Sequence, residues 1–506
     1  MNEVWLQGMQ VLTVDFMLAG AAIMLVIIDL ILPKAQKWLI GWVALAQVLL
    51  CLAGTFVLDL NGAAMSGAYV GDPMAVLFKQ IFLGIGALAI LGSIARLNRE
   101  TGARQSEFYS ILLVSLLGMT LLAGARNLVL LLVAFEMMSI PLYLLAAWFK
   151  TGPEGGGRRR IAFGKPSEAA FKLFVIGSIS SAITVYGLSL VYGTAGTTHI
   201  ADLATHGVAP LGLLGLSMML AGFGFKLGAV PFHMWVPDTY EGAPTPFVAF
   251  LSVAPKAAGL VALIQLLVGG FLSEYASWAP LLIGLVVGSL ILGNVLAIPQ
   301  QNSKRLLAFS GIAQMGFPMM ALASITPETV QAGQGDALAT IMFYLMGYAV
   351  ANIGLFFVVE ALAVNRQQGA GPSATQDTNA IDEFVGLYKR SPMLAAAGLA
   401  FLLSLAGIPF MVGFWTKVYV LLAVWRAGFG WLVVAAAGLS VVGLFYYLQV
   451  ARAMFMKEPI ETGKITVTPT LVVTIVICLL ATLLGGLFPA PFIDAARHAS
   501  LVFLGS

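Results

Sequence analysis

Charge is scarce in this sequence: Asp, Glu, Lys and Arg make up 10% of its 506 residues, where a soluble domain carries about 25%. That deficit excludes an ordinary cytosolic enzyme. Cysteine is scarcer still. Cys51 and Cys478 both lie in apolar runs, so neither a disulfide framework nor a four-thiolate iron–sulfur site is available. Four histidines, His199, His206, His233 and His498, are too scattered to supply the paired axial ligands of a membrane haem. A net charge of +3 gives no footprint for nucleic acid. No charged n-region with an A-x-A site opens the chain, and no Arg/Ser-rich transit peptide does either, so the first apolar segment is expected to be a retained span.

What fills the sequence instead is apolar: 60% of the residues are hydrophobic and the mean hydropathy is +0.95. Reading apolar runs against polar breaks predicts fourteen helices, at about 10–32, 38–59, 73–95, 107–124, 127–149, 168–193, 210–235, 246–270, 278–298, 304–324, 338–362, 392–424, 430–455 and 469–491. The runs are continuous, not the ~10-residue alternating segments of a membrane barrel, so the expected fold is an all-α polytopic bundle in a lipid bilayer. Lys and Arg orient it. Eighteen lie in loops after odd-numbered helices and three in the other loops and tails. That asymmetry places both termini outside, on the periplasmic face of a bacterial inner membrane. The basic, Gly-rich stretch Gly152–Lys165 matches no P-loop pattern, and both it and Asn365–Ala380 read as solvated inner loops.

Two pairs of proline motifs repeat at one offset. Gly228-Ala-Val-Pro231-Phe in the seventh helix and Gly407-Ile-Pro409-Phe in the twelfth have prolines 178 residues apart. Met138-Ser-Ile-Pro141-Leu and Met315-Gly-Phe-Pro318-Met, in the fifth and tenth, have theirs 177 apart. An advance of five helices is odd, so the second copy is expected to be inverted, with helices 7 and 12 broken. The division that follows is 1–106 (helices 1–3), 107–270 (first repeat, helices 4–8), 278–455 (second repeat, helices 9–13) and 456–506 (helix 14 and a tail). Gly/Pro-broken helices in inverted repeats point to an ion or substrate path at the membrane midplane, because freed backbone groups are tolerated only beside a polar cavity.

Five lysines, Lys79, Lys172, Lys226, Lys256 and Lys417, fall inside these helices, and each costs roughly 2.5–3.5 kcal/mol at the bilayer centre on the insertion scale. Glu136 lies midway along helix 5. By depth, Lys172 sits at the cytoplasmic end, Glu136, Lys226 and Lys256 near the middle, and Lys417 toward the outer face. That ordering suits a relay. Desolvation favours the neutral amine and a nearby carboxylate favours the ammonium, so moving Glu136 relative to Lys226 would switch the lysine between holding and releasing a proton. His233, just past Pro231, is placed to carry protons between Lys226 and Lys256, although a lone histidine in an apolar segment serves structure as readily. Lys79, Asp29 and Glu360 lie close enough to helix ends to snorkel. Asp15 is a candidate contact to a neighbouring helix or subunit.

The runs Glu168-Ala-Ala-Phe-Lys172-Leu-Phe, Phe225-Lys226-Leu-Gly-Ala-Val-Pro231-Phe-His233-Met-Trp235-Val-Pro-Asp238-Thr-Tyr-Glu241-Gly-Ala-Pro-Thr-Pro and Ser252-Val-Ala-Pro-Lys256 resemble one family closely. It is the antiporter-like, proton-translocating membrane subunits of NADH–quinone oxidoreductase (respiratory complex I). A lysine at position 417 points to its subunit N branch, where the subunit M branch is expected to carry a glutamate, and no long arm of the subunit L type follows helix 14. The resemblance implies a proton channel with Glu136 and Lys226 as coupling pair, Lys256 as central relay, Lys417 as outer gate and Lys172 as inner accessory. It also implies that FMN, iron–sulfur clusters and quinone belong to partner subunits, that this chain binds no cofactor or metal, and that its partners are other antiporter-like and small hydrophobic membrane subunits. A subunit of a multisubunit sodium/proton antiporter, without redox coupling, is the alternative.

Overall fold

The computed structural model describes residues 8–101, 105–148, 165–206, 209–369, 381–459 and 463–505. Most of the Gly152–Lys165 and Asn365–Ala380 loops therefore lies outside the described residues. The apolar runs form helices because only there does a chain satisfy every backbone group within lipid. In order they are α1 (Thr13–Ile31), α2 (Lys34–Val57), α3 (Pro73–Glu100), α4 (Ser106–Ala123), α5 (Leu128–Ala146), α6 (Lys165–Ala195), α7 (Pro210–Leu227), α8 (Thr245–Val268), α9 (Leu272–Ala297), α10 (Ser303–Ala323) and α11 (Asp336–Val364). The divided α12a (Pro392–Ala406) and α12b (Val412–Arg426), then α13 (Gly430–Met456), α14 (Pro469–Leu487) and α15 (Ala490–Gly505), follow.

Thirteen of these helices are long and apolar enough to cross a membrane on their own. The halves of α12 have 15 residues each, short of the ~20 a span requires, and make the fourteenth crossing only together. Beyond short connecting helices such as Ile200–His206 and Pro327–Gln331, a hairpin and a helical tail lie outside the sequence expectation. A small antiparallel hairpin pairs Gly62–Ala64 with Tyr69–Gly71. The tail is helical: α15 packs against α3 and α11, and Ser500 Oγ donates to the Gly335 carbonyl at 3.0 Å.

Helix ends are marked by local chemistry. Asp72 caps α3, accepting from the Ala75 N–H at 2.7 Å, with Pro73 in the first turn. Asn127 and Asn302 cap α5 and α10 in the same way. Two helices end inside the bundle. α7 stops at Gly228 and α12a at Gly407, both left-handed (φ 67° and 87°), a conformation that spares glycine the Cβ clash. Helix resumes at Trp235 after the first stop and at Val412 after the second. Pro141 and Pro318, by contrast, sit within continuous helices.

α8 and α10 are buried along their whole apolar stretches, whereas 28% of the corresponding stretch is buried in α6 and in α13. The bundle is therefore built around α8 and α10, with α6 and α13 turning broad apolar faces outward. Lys256 lies on the first of these axial helices and Lys304, Gly311 and Gln314 on the second.

Candidate functional site

Lys256 is fully buried, and its Nζ donates to the Gly311 carbonyl across the α8–α10 contact at 3.1 Å. Glycine leaves room for that approach: a Cβ on residue 311 would stand 2.9 Å from the Lys256 Nζ and 3.1 Å from the Tyr348 hydroxyl, so the amine would have to shift. Among the described residues no carboxylate pairs with this ammonium group; a Tyr240 ring lies 5.7 Å away. Around it, Tyr348 donates to the Ser252 carbonyl at 3.3 Å and Asn352 to the Ser252 hydroxyl at 2.6 Å.

From this centre a line of polar groups runs toward α12. Tyr348 stacks on Tyr344, whose hydroxyl donates to Gln314 Oε1 at 2.5 Å. Gln314 Nε2 donates to the Tyr447 hydroxyl at 3.0 Å and to the Leu405 carbonyl at 2.7 Å. Ser310 and Tyr447 share a further bond. Lys417 meets the same carbonyl from the other side, at 2.8 Å, and adds Ala406 O at 3.2 Å and Ser440 Oγ at 3.1 Å. The stop at Gly407 frees these carbonyls, which form the negative end of α12a. The helix break thus makes the cation site.

The first half of the chain repeats this chemistry in part. Lys226 lies in the last turn of α7, two residues before Gly228, and donates to the Tyr143 hydroxyl at 3.0 Å. The Phe135, Tyr143 and Phe225 rings lie within 5.5 Å of its Nζ. Glu136 accepts from Ser181 Oγ at 2.6 Å. Glu136 and Lys226 are within electrostatic reach but form no ion pair; the hydroxyls of Ser181 and Tyr143 stand between them. Among the described residues, no hydrogen-bonded chain joins Lys226 to Lys256. His233 does not fill that gap: it sits half-buried beyond the stop of α7, between exposed Pro231 and Met234, and its ring bonds neither lysine.

Lys172 is set apart from the line. It pairs with Glu168 and Asp238, each at 2.7 Å, while Arg305 holds Asp238 at 2.8 Å and Glu241 at 3.1 Å, and Lys165 reaches Glu241 at 3.3 Å. This cluster is partly solvated. Asp238 lies outside the spans; burial raises its affinity for a proton, but the bonds from Lys172 and Arg305 more than offset that and hold its carboxyl below the ordinary value of 3.8.

Two snorkelling expectations are overturned. Lys79 is 1% exposed and pairs with Asp15 at 2.5 Å, and Glu360, also 1% exposed, accepts from Arg96 at 2.6 Å. Both are internal ion pairs: α1 brings Asp15 to Lys79, and α3 brings Arg96 to Glu360. Asp29, bonded to Lys37 at 2.7 Å near a helix end, does fit the snorkelling picture. Lys304, at the first turn of α10 and one of the eighteen basic residues assigned to the inner side, is buried with its ammonium on the Ala243 carbonyl at 2.8 Å, a site that its place at a helix start does not signal. The Gln314–Tyr344–Tyr447 group was missed as well. The available signal was spacing: Tyr344, Tyr348, Asn352, Phe356 and Glu360 recur every four residues, one stripe of α11.

Residues 125–443 match the family described as NADH:quinone oxidoreductase/Mrp antiporter membrane region. The chain is 37% identical to NADH-quinone oxidoreductase subunit N of Moorella thermoacetica, over 98% of this chain and 99% of the relative. Its structure superposes on a chain of respiratory complex I from Thermus thermophilus with a TM-score of 0.78 at 31% identity, covering 96% and 99% of the two chains. A chain of the Mrp complex from Dietzia also superposes, with a TM-score of 0.80 over 98% and 97% of the two chains; at 18% identity that likeness is one of fold. Family profile, near-full-length identity and the shared bundle agree: this chain belongs to the antiporter-like membrane-subunit family of NADH:quinone oxidoreductase, on its subunit N branch.

Proposed function

We propose that this chain is a proton-translocating membrane subunit of a bacterial NADH:quinone oxidoreductase, a translocase component that couples electron transfer carried out elsewhere in the complex to proton movement. The observation that carries the reading is the polar line from Lys256 to Lys417, built around a helix break in an otherwise apolar bundle. Carbonyls and hydroxyls accept hydrogen bonds from an amine or an ammonium alike. A lysine held only by such groups keeps its place in either protonation state.

In this reading Glu136 and Lys226 form the coupling pair, with the Ser181 and Tyr143 hydroxyls between them, and a change of charge at Glu136 sets whether Lys226 holds its proton. Lys256 receives the proton at the centre. Tyr344 and Tyr447 pass it on by taking one proton and giving another, Gln314 holds their two hydroxyls in line through its amide, and Lys417 releases it outward past Ser440. Lys172 helps to gather protons at the inner mouth, and His233 is an accessory at the rim of the α7 break. FMN, iron–sulfur clusters and quinone are assigned to partner subunits, and this chain carries no redox centre. The membrane is the cell inner membrane, with both termini on the periplasmic side.

The test is twofold. A C-terminally tagged chain, extracted gently, is expected to co-purify with flavin, iron–sulfur absorbance and inhibitor-sensitive NADH–quinone activity. Recovery with small hydrophobic proteins alone, and sodium/proton exchange in vesicles, would establish the antiporter alternative. Within the assembled complex, Lys256→Ala is expected to lower proton translocation by about a hundredfold or more, the lower end of what a positioned proton-transfer group contributes.

A further inference from the structure

Glu360 is a buried carboxylate that the mechanism above leaves unused. It ends the α11 stripe at the face of the bundle where α3 ends and α14 begins. One oxygen accepts from Arg96 at 2.6 Å, and Arg96 in turn reaches Glu100 at 3.0 Å. The other oxygen, Oε1, is buried with no hydrogen-bond partner. An unpartnered carboxylate oxygen in such a place is costly, so an ion pair alone does not account for the arrangement. Beside it is a cavity of about 20 Å³ lined by Arg96, Arg99, Glu360 and Thr468, enough for one water molecule. The Thr468 hydroxyl is likewise buried and unpartnered. Arg99 and Glu100, on the rim, are partly exposed.

A way inward is present. Eight residues, about 12 Å of helix, separate Glu360 from Asn352 on the same stripe. Across that interval stands Tyr240, fully buried, its ring 5.9 Å from Phe356 on one side and 5.7 Å from the Lys256 Nζ on the other. The Tyr240 and Thr239 hydroxyls are both buried without partners. Lys304 is also within electrostatic reach of Glu360 and Arg96.

Resting on the proton-translocation reading, we infer that Glu360 is a second proton-loading site, which takes protons from the face where Arg99 and Glu100 are exposed and delivers them to Lys256 by way of Tyr240. Water in the cavity takes a proton from the solvent side as it gives one to Oε1, forming the neutral acid and leaving the water unchanged. Arg96, permanently charged, holds the carboxyl in place through the other oxygen and returns it to the ionised form after each transfer. The acid passes its proton to the Tyr240 hydroxyl, which releases its own toward the neutral Lys256 amine. The products are a carboxylate and an ammonium, with tyrosine unchanged. Lys256 is thereby supplied without the bonded link to Lys226 that the described residues lack.

The experiment uses inverted membrane vesicles containing the whole complex, with NADH-driven proton uptake measured against NADH oxidation. Lys256→Ala is the reference. If that variant pumps normally, the translocation reading itself has failed. With the reference impaired, Glu360→Gln is expected to pump at least fivefold less per NADH and Glu360→Asp to recover part of the loss; normal pumping in Glu360→Gln overturns the inference alone. If Glu360→Gln does not assemble, Tyr240→Phe decides. Removing an unpartnered buried hydroxyl leaves packing intact, so a purely structural Tyr240 predicts full assembly and full pumping, which overturns the inference. A loss of pumping at full assembly supports it.

Discussion

Lys79 and Lys256 are equally hidden, 1% and 0% exposed, yet they have opposite surroundings. Lys79 meets the Asp15 carboxylate at 2.5 Å and a Tyr69 ring at 5.2 Å. Lys256 meets one carbonyl and no carboxylate among the described residues. A carboxylate partner makes the ammonium the favoured state and holds it there, because neutralising one member leaves the other charged and buried. A carbonyl partner serves both states. The first lysine is a clamp between α1 and α3; the second, in the proposed relay, is the one that gives up its proton. Burial alone does not distinguish them, and what faces the nitrogen does.

Arginine substitution separates the two most sharply. Arginine is not deprotonated in proteins, so Lys256→Arg is expected to abolish pumping about as fully as Lys256→Ala. Lys79→Arg retains the ion pair and is expected to pump at near-normal rates. Proton uptake per NADH in vesicles checks both, and a pumping Lys256→Arg variant would erase the distinction. The converse change reads stability. Lys79→Met leaves the Asp15 charge buried and alone, an arrangement that costs about 3–5 kcal/mol. It is expected to lower the thermal midpoint and the yield of assembled complex, with Asp15→Asn in the same chain recovering most of the loss.

These two lysines also show how far the sequence was legible. The spans were, because a long apolar run admits one backbone solution in lipid. The stops at Gly228 and Gly407 were as well, since glycine beside a proline motif is a local signal. Partnership was not. Asp15 lies 64 residues from Lys79, and Arg96 lies 264 from Glu360. Depth along a single helix cannot say whether the nearest neighbour is lipid, solvent or an opposite charge. Gln314, Tyr344 and Tyr447 escaped notice because each is cheap to bury when bonded, so no one of them stands out from its helix. α15 was read as a tail since Asp494, Arg497 and His498 break its apolar run.

A smaller effect is expected from Gly311→Ala. The added Cβ would lie 2.9 Å from the Lys256 Nζ, closer than carbon approaches, but the contact is the far end of a flexible side chain. The ammonium group is expected to shift off the Gly311 carbonyl while the fold survives, so the complex assembles and pumps more slowly. The same change at Gly407 is harsher for the backbone, where φ is 87°, and its Cβ would press on the Lys417 Cδ at 2.9 Å. Pumping rates in the order wild type, Gly311→Ala, Lys256→Ala would confirm that carbonyl contact, not the mere presence of the amine, tunes the transfer.

The least effect is expected at the partly solvated cluster, which is a clamp of a third kind. Asp238 carries a lowered proton affinity because Lys172 and Arg305 bond it. Glu168, Glu241 and Lys165 are the other charges facing this group. The sign follows from linkage. A carboxylate held below its ordinary value of 3.8 adds stability that is fully present above that value and is lost as pH falls through the lowered one. The difference in thermal midpoint between wild type and Asp238→Asn is therefore expected to stay constant from about pH 8 to about pH 5 and to shrink only in stronger acid. High salt, which screens exposed pairs, is expected to shrink it too, while leaving the Lys79–Asp15 contribution nearly untouched. A cluster difference that vanished near neutral pH would mean that histidine or lysine, and not Asp238, sets its charge.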